Sequence, residues 1–218
     1  FGSSFRSSGG SFSAYFFPGT VILVVLFASI FATISVIEDR REGFLQSVLV
    51  SPVAPFQIAL GKIIGGTVLG LLQGASLLLL VPFLGLPWRS LAFAEALLVL
   101  VLVSFALTGL GFAIAWSLES TQGFHAVMNL FLMPMWLLSG SFFPLATAPG
   151  WLRVVMAVNP LTYGVAALRE GLTPGVTGLP DFGLSVGVTA AFGMVTFALS
   201  AFVVARNPSG PERRKGRG

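Results

Sequence analysis

Five long stretches of this chain carry no charge at all. The first lies between Arg6 and Glu38, with TVILVVLFASIFATISVI (Thr20–Ile37) at its centre. The second is IIGGTVLGLLQGASLLLLVPFLGLPW, between Lys62 and Arg89, and the third is ALLVLVLVSFALTGLGFAIAWSL, between Glu95 and Glu119. A fourth runs through GFHAVMNLFLMPMWLLSGSFF and a fifth, FGLSVGVTAAFGMVTFALSAFVVA, ends at Arg206. A helix needs about 20 apolar residues to cross the hydrocarbon core, where each backbone polar group must be satisfied within its own segment. The blocks therefore predict an all-α, polytopic transmembrane helical bundle, with spans at about 18–37, 60–86, 94–117, 123–141 and 183–205.

Composition agrees with that solvent. Only 9% of the residues are charged and 55% are hydrophobic, against about 25% charged in soluble domains. The net charge of +4 raises the question of nucleic acid. The basic residues form no patch with interleaved aromatics, so no nucleic-acid partner is expected. Without cysteine there are no disulfides or thiolate metal sites.

Charge also orients the bundle. With five spans, one side holds Arg40, Arg41, Lys62, Arg206, Arg213, Arg214, Lys215 and Arg217. The other holds Arg6, Arg89, Arg153 and Arg169. The positive-inside bias places the first group, with loop 38–58 and the basic tail 207–218, in the cytoplasm. The opening residues then lie outside with no signal peptide to carry them there. A further span before Phe1, six in a full chain, is the expected remedy.

Between the first two spans, EDRREGFLQSVLVSP (Glu38–Pro52) begins with charges of both signs. Phe44, Leu45, Val48 and Leu49 then fall on one helical face, which predicts a short interfacial helix ended by Pro52 and Pro55. The chain is expected to re-enter the membrane around Ile58. A loop built for lipid would be basic alone, so the mixed signs of Glu38, Asp39, Arg40, Arg41 and Glu42 point to a protein surface. Gly43 offers a permissive turn between cluster and helix.

Gly66, Gly70 and Gly74 recur every four residues and read as a helix-packing face. Ser104, Thr108 and Asn129 lie inside spans and are expected to bond across helices. Pro134 should kink its helix. Glu95 and Glu119 mark the two ends of one span. His125, the single histidine, has no metal or triad partners in the sequence pattern. Gly61-Lys62 is followed by Ile63, with Phe56 where a phosphate loop needs glycine, so that motif is absent. The stretch 142–170 gives two short apolar helices rimmed by Trp151, Arg153, Asn159, Tyr163 and Arg169.

IEDRREGFLQSVLVSPVAPFQIALGKIIGG resembles the first cytoplasmic loop of type-2 ABC transporter permeases, the membrane subunits of drug, nodulation-factor and polysaccharide exporters. LLSGSFFPLATAPGWLRVVMAVNPLTYGVAALRE (Leu137–Glu170) resembles the same family's segment between its fifth and sixth spans. The resemblance covers about Phe16 to Arg206 and departs at the front, where the family's first span is absent. It implies that residues 1–206 form a permease domain in a prokaryotic cytoplasmic (inner) membrane. It implies a non-catalytic subunit with no directly bound cofactor, ATP and Mg being held by a separate cytoplasmic ATPase. Glu38, Asp39, Arg40, Arg41, Glu42, Gly43 and Phe44 would dock that ATPase, and a second permease copy would complete the complex as a homodimer. Residues 142–170 would be a re-entrant gate on the extracytoplasmic side, carried by Trp151, Asn159, Tyr163 and Arg169. The cargo expected of so apolar a bundle is hydrophobic or amphiphilic, moved by alternating access. A stand-alone secondary transporter would need ionisable residues at mid-membrane, and an enzyme acting on lipid-linked substrates would need a cluster of Asp, Glu, His or Lys at one interface.

Overall fold

The computed structural model describes residues 12–43, 54–84, 90–142, 145, 148–173 and 180–206. Among them every regular element is helical. Helices α1 (Phe12–Phe31) and α2 (Ile34–Arg41) are followed by α3 (Pro55–Leu78), α4 (Ser90–Ser117) and α5 (Thr121–Trp136). A π-helical turn, Leu137–Ser141, extends α5, and α6 (Gly150–Val158), α7 (Pro160–Leu172) and α8 (Phe182–Arg206) complete the chain. Among the described residues five rods are long and apolar enough to cross a membrane: Tyr15–Arg41, Phe56–Leu78, Ala92–Ser117, Thr121–Ser141 and Phe182–Arg206.

The first rod does not stop before the charge cluster, as the sequence suggested. After a turn at Ala32–Thr33 the helix resumes, and Glu38–Arg41 form its last turn. The turn has a local cause: both the hydroxyl and the amide of Thr33 donate to the Ile30 carbonyl, at 2.6 and 2.9 Å. A threonine that back-bonds in this way competes with the regular ladder. Arg40 and Arg41 suit the negative end of the helix dipole. Gly43 then takes φ +78° beyond the Glu42 cap, the left-handed conformation that favours glycine there.

Pro55 opens α3, where a first-turn residue needs no intrahelical N–H bond. Gln57 reaches back to accept from the Ala54 amide at 2.9 Å. The second rod consequently starts ahead of residue 60 and ends at Leu78, with a 3-10 turn at Val81–Leu84 where helix had been expected. Phe44–Val53, including the expected interfacial helix, lies outside the described residues, as does the tail 207–218.

Helix α4 is the centre of the bundle and packs against α1, α3, α7 and α8. Lipid tails are as apolar as leucine, so close van der Waals fit holds such helices together. The α3 glycines supply it. A Cβ on Gly66 would strike Thr108, one on Gly70 would strike Ser29 and Ser104, and one on Gly74 would sit 2.7 Å from Val25. Thus α3 wedges between α1 and α4 along a single glycine edge. Phe112, Trp116, Phe124, Leu26 and Leu107 fill the interior beside it.

The mid-span polar residues do not behave alike: the Ser104 hydroxyl, expected to bond across helices, is buried with no hydrogen-bond partner. Thr108 donates to the Ser104 carbonyl of its own helix at 2.7 Å, and Asn129 is exposed on α5. A hydroxyl bond that does cross helices comes from Ser200, which donates to the Gly109 carbonyl at 2.8 Å. Near Pro134 the helix changes hand-hold: α5 passes into the π-helical turn, which breaks at Gly140 with φ +83°.

Candidate functional site

The two ends of the bundle carry the predicted residues. At the charged end, α2 brings Glu38–Arg41 against the close of α4 and the opening turns of α3. Glu38, Arg41 and Glu42 are exposed. Asp39 forms an ion pair with Lys62, whose ammonium also reaches the Ser35 hydroxyl at 3.4 Å. Arg41 donates to the Glu119 carbonyl at 3.1 Å.

Arg40 departs from the role of a docking residue. Its side chain is 7% exposed and points inward. It donates from Nη2 to the Trp116 carbonyl at 2.9 Å and from Nη1 to the Leu118 carbonyl at 3.0 Å. The guanidinium also lies 5.2 Å from the centre of the Trp116 ring. The last carbonyls of a helix have no intrahelical partner, and a cation is favoured there. Arg40 therefore caps α4. Sequence spacing held the signal: Val36, Ile37 and Arg40 share one buried helical face. Lys62 and Trp116 were the partners that reading by linear motif did not supply.

At the other end, α6 and α7 meet at 89°. The elbow is Asn159, whose side-chain oxygen accepts from the Leu161 amide at 3.0 Å and so starts α7. Its amide nitrogen donates to the Met135 carbonyl at 2.6 Å, fastening the elbow to α5. Tyr163 donates within the same pair of helices, to the Ala157 carbonyl at 2.9 Å. Trp151 is 68% exposed on α6.

Arg169 is only 2% exposed. It donates to the carbonyls of Tyr15 and Gly140, both at 3.2 Å, and its guanidinium lies 4.1 Å over the Tyr15 ring. The Tyr15 hydroxyl donates to the same Gly140 carbonyl at 3.0 Å. Three elements are joined at this node: α1, the π-helical turn and α7. Of the four residues assigned to a gate, Asn159 and Arg169 are thus internal ties, while Trp151 lies on the outer surface. Tyr15 was not singled out in the sequence, since one tyrosine before an apolar run resembles any interfacial anchor.

Between the two ends, an apolar cavity of about 800 Å³ separates α4 from α5. Leu110 and Ile114 line one wall, Val127, Phe131 and Leu132 the opposite wall, and Val158 of α6 one end. The polar lining side chain is Asn159, whose amide is already engaged. Such a space can hold hydrocarbon and offers almost nothing to an ion. Among the described residues no group of three or more His, Cys, Asp or Glu side chains is placed to hold a metal.

Residues 1–173 match the family described as ABC-2 type transporter. The chain is similar to the daunorubicin resistance ABC transporter permease protein DrrB1 of Streptomyces coeruleorubidus, with 24% identity over 205 residues, 91% of this chain and 72% of that protein. It is 29% identical over 184 residues to the linearmycin resistance permease protein LnrN of Bacillus subtilis, covering 83% of this chain and 46% of that protein. Nodulation protein J of Rhizobium meliloti is 28% identical over 206 residues, 92% of this chain and 76% of that protein. The chain spans about half the length of several relatives that it matches.

Proposed function

This chain belongs to the ABC-2 type transporter permease family, and from that premise we propose that it is the membrane half of an ATP-driven exporter powered through its charged end. A separate cytoplasmic ABC ATPase binds and hydrolyses ATP with Mg, while this subunit holds no nucleotide itself. The charged end and the basic tail face the cytoplasm of a prokaryotic cell, the membrane being the inner one. A second copy of the permease completes the complex, and residues 1–206 constitute its transport domain.

One observation carries the reading. Glu38, Arg41 and Glu42 are exposed together beside a turn fixed by Gly43, on an end that the Asp39–Lys62 pair and Arg40 bind firmly to the bundle. Exposed charges of mixed sign select a partner and its register. Their attachment to α2, α3 and α4 allows a push there to reach several spans. Gly43 and the neighbouring Phe44 would shape the same docking loop. Alternating access requires that ATP favour one conformation over another, and this end is where that preference enters the membrane.

The cargo is hydrophobic or amphiphilic, in keeping with the apolar cavity between α4 and α5. The bent helices of residues 142–170 act as the outer gate, Trp151 and Tyr163 facing the outer interface while Asn159 and Arg169 fix the hinge. The docking claim is tested by Arg41→Glu in the complete transporter. Recovery of the ATPase on permease pull-down should fall at least about tenfold, the equivalent of 1.4 kcal/mol. Undiminished recovery would remove the charged end as the docking site.

A further inference from the structure

Arg40 reaches past the exposed cluster to a place with mechanical meaning. Its two acceptors, Trp116 and Leu118, sit at the end of α4 and at the start of the three-residue link Leu118–Ser120. The next residue, Thr121, opens α5, with Ser120 as its cap: the Ser120 hydroxyl accepts from the Gly123 amide at 3.0 Å. The link is therefore a tight elbow between two capped helices. Those helices are the facing walls of the apolar cavity. Arg41 adds a third grip on the same link through the Glu119 carbonyl.

Helix α5 is otherwise held through Phe124, Met128 and Leu132, which are buried in the core, and by Trp136, whose indole N–H donates to the Gly19 carbonyl at 2.9 Å. Its principal neighbours are α2 at the charged end, with the π-helical turn and α7 at the other. The polar ties that position α5 are thus the elbow at one end and the Asn159–Met135 and Trp136–Gly19 bonds at the other. A buried guanidinium cannot slide away from its carbonyls without leaving charge unmet in a dry interior. Displacing α2 must carry the elbow with it.

We propose that Arg40 is a positioning residue that transmits displacement of the charged loop to the α4–α5 elbow and thereby changes the width of the apolar cavity. This deepens the reading of the charged end as the ATPase-docking face and rests on it. Exposed neighbours choose the partner; Arg40 carries the movement. Lysine cannot replace it, because a single ammonium lacks the planar fork that spans two carbonyls and stacks on an indole.

The chain has no cysteine, which permits spin-label pairs in the complete transporter. One pair, Ser35→Cys in α2 with Gln122→Cys, reports the base of the charged loop against the elbow. A second, Leu110→Cys with Phe131→Cys, reports across the two walls that these residues line. Adding ATP and vanadate should shift the wall pair while the loop–elbow distance stays fixed. In Arg40→Gln the ATPase should still co-purify within about twofold, the loop–elbow distance should now vary, and the wall-pair population shift should shrink at least about fivefold. Arg40→Lys should behave like Arg40→Gln. A wall-pair response unchanged in Arg40→Gln overturns the proposal. If Arg40→Gln does not fold, the unsubstituted pairs still decide: a loop–elbow distance that changes with nucleotide overturns it, and a fixed distance with moving walls supports it. Failure of the native chain to capture the ATPase removes the docking reading and this proposal together, whereas normal capture with uncoupled walls in the native chain removes only the proposal.

Discussion

Each end of the bundle contains one buried arginine that grips two backbone carbonyls and lies against an aromatic ring. Arg40 uses Trp116 and Leu118; Arg169 uses Tyr15 and Gly140. Around them the ends differ. Arg40 has exposed charges beside it and an ion pair one residue away, so its end offers a polar surface to water and protein. Arg169 is surrounded by helices whose outer faces are greasy, with Val158 79% exposed and Trp151 68%. The same buried fork serves an exposed junction in one place and a sealed one in the other. At Arg40 the chain admits a cation where the end of a helix has left carbonyls without their usual donors.

Three substitutions separate the sealed end from the open one. Arg169→Ala should have the largest effect, lowering unfolding free energy in mixed micelles by about 2 to 3 kcal/mol as carbonyls of Tyr15 and Gly140 lose a buried donor. Tyr15→Phe keeps the ring under Arg169 and deletes only the hydroxyl bond to Gly140. A loss of about 0.5 to 1 kcal/mol in the same assay is expected for one hydrogen bond between membrane helices. Asp39→Asn should cost the least, below about 1 kcal/mol, because both partners of the Lys62 pair are partly exposed. Added salt should erase that difference while leaving the Arg169→Ala deficit in place. If Asp39→Asn were as damaging as Arg169→Ala, the distinction between the two ends would collapse.

The membrane-spanning rods were legible because hydrocarbon imposes a length and forbids charge, and both constraints are written in the order of residues. The glycine edge of α3 was legible for the same reason: spacing by four is a property of one helix. Arg40 was harder. Four charged neighbours suggested a surface, yet a helical turn sends one of five inward, and only the continuation of α2 through residue 41 reveals which one. Arg169 and Tyr15 are separated by 154 positions, and nothing local to either names the other. Asn159 lay between these cases. Asn-Pro announces a helix start, whereas its grip on Met135 depends on where α5 passes. Serine and threonine inside spans misled in the opposite direction, since Thr108 could satisfy itself on its own helix without crossing to another.

The amide of Asn159 belongs to two machines at once. It begins α7 and holds Met135, so the bent pair α6–α7 is geared to the fourth rod. A displacement of that pair at Asn159 is consequently shared with α5, which lines one wall of the apolar cavity.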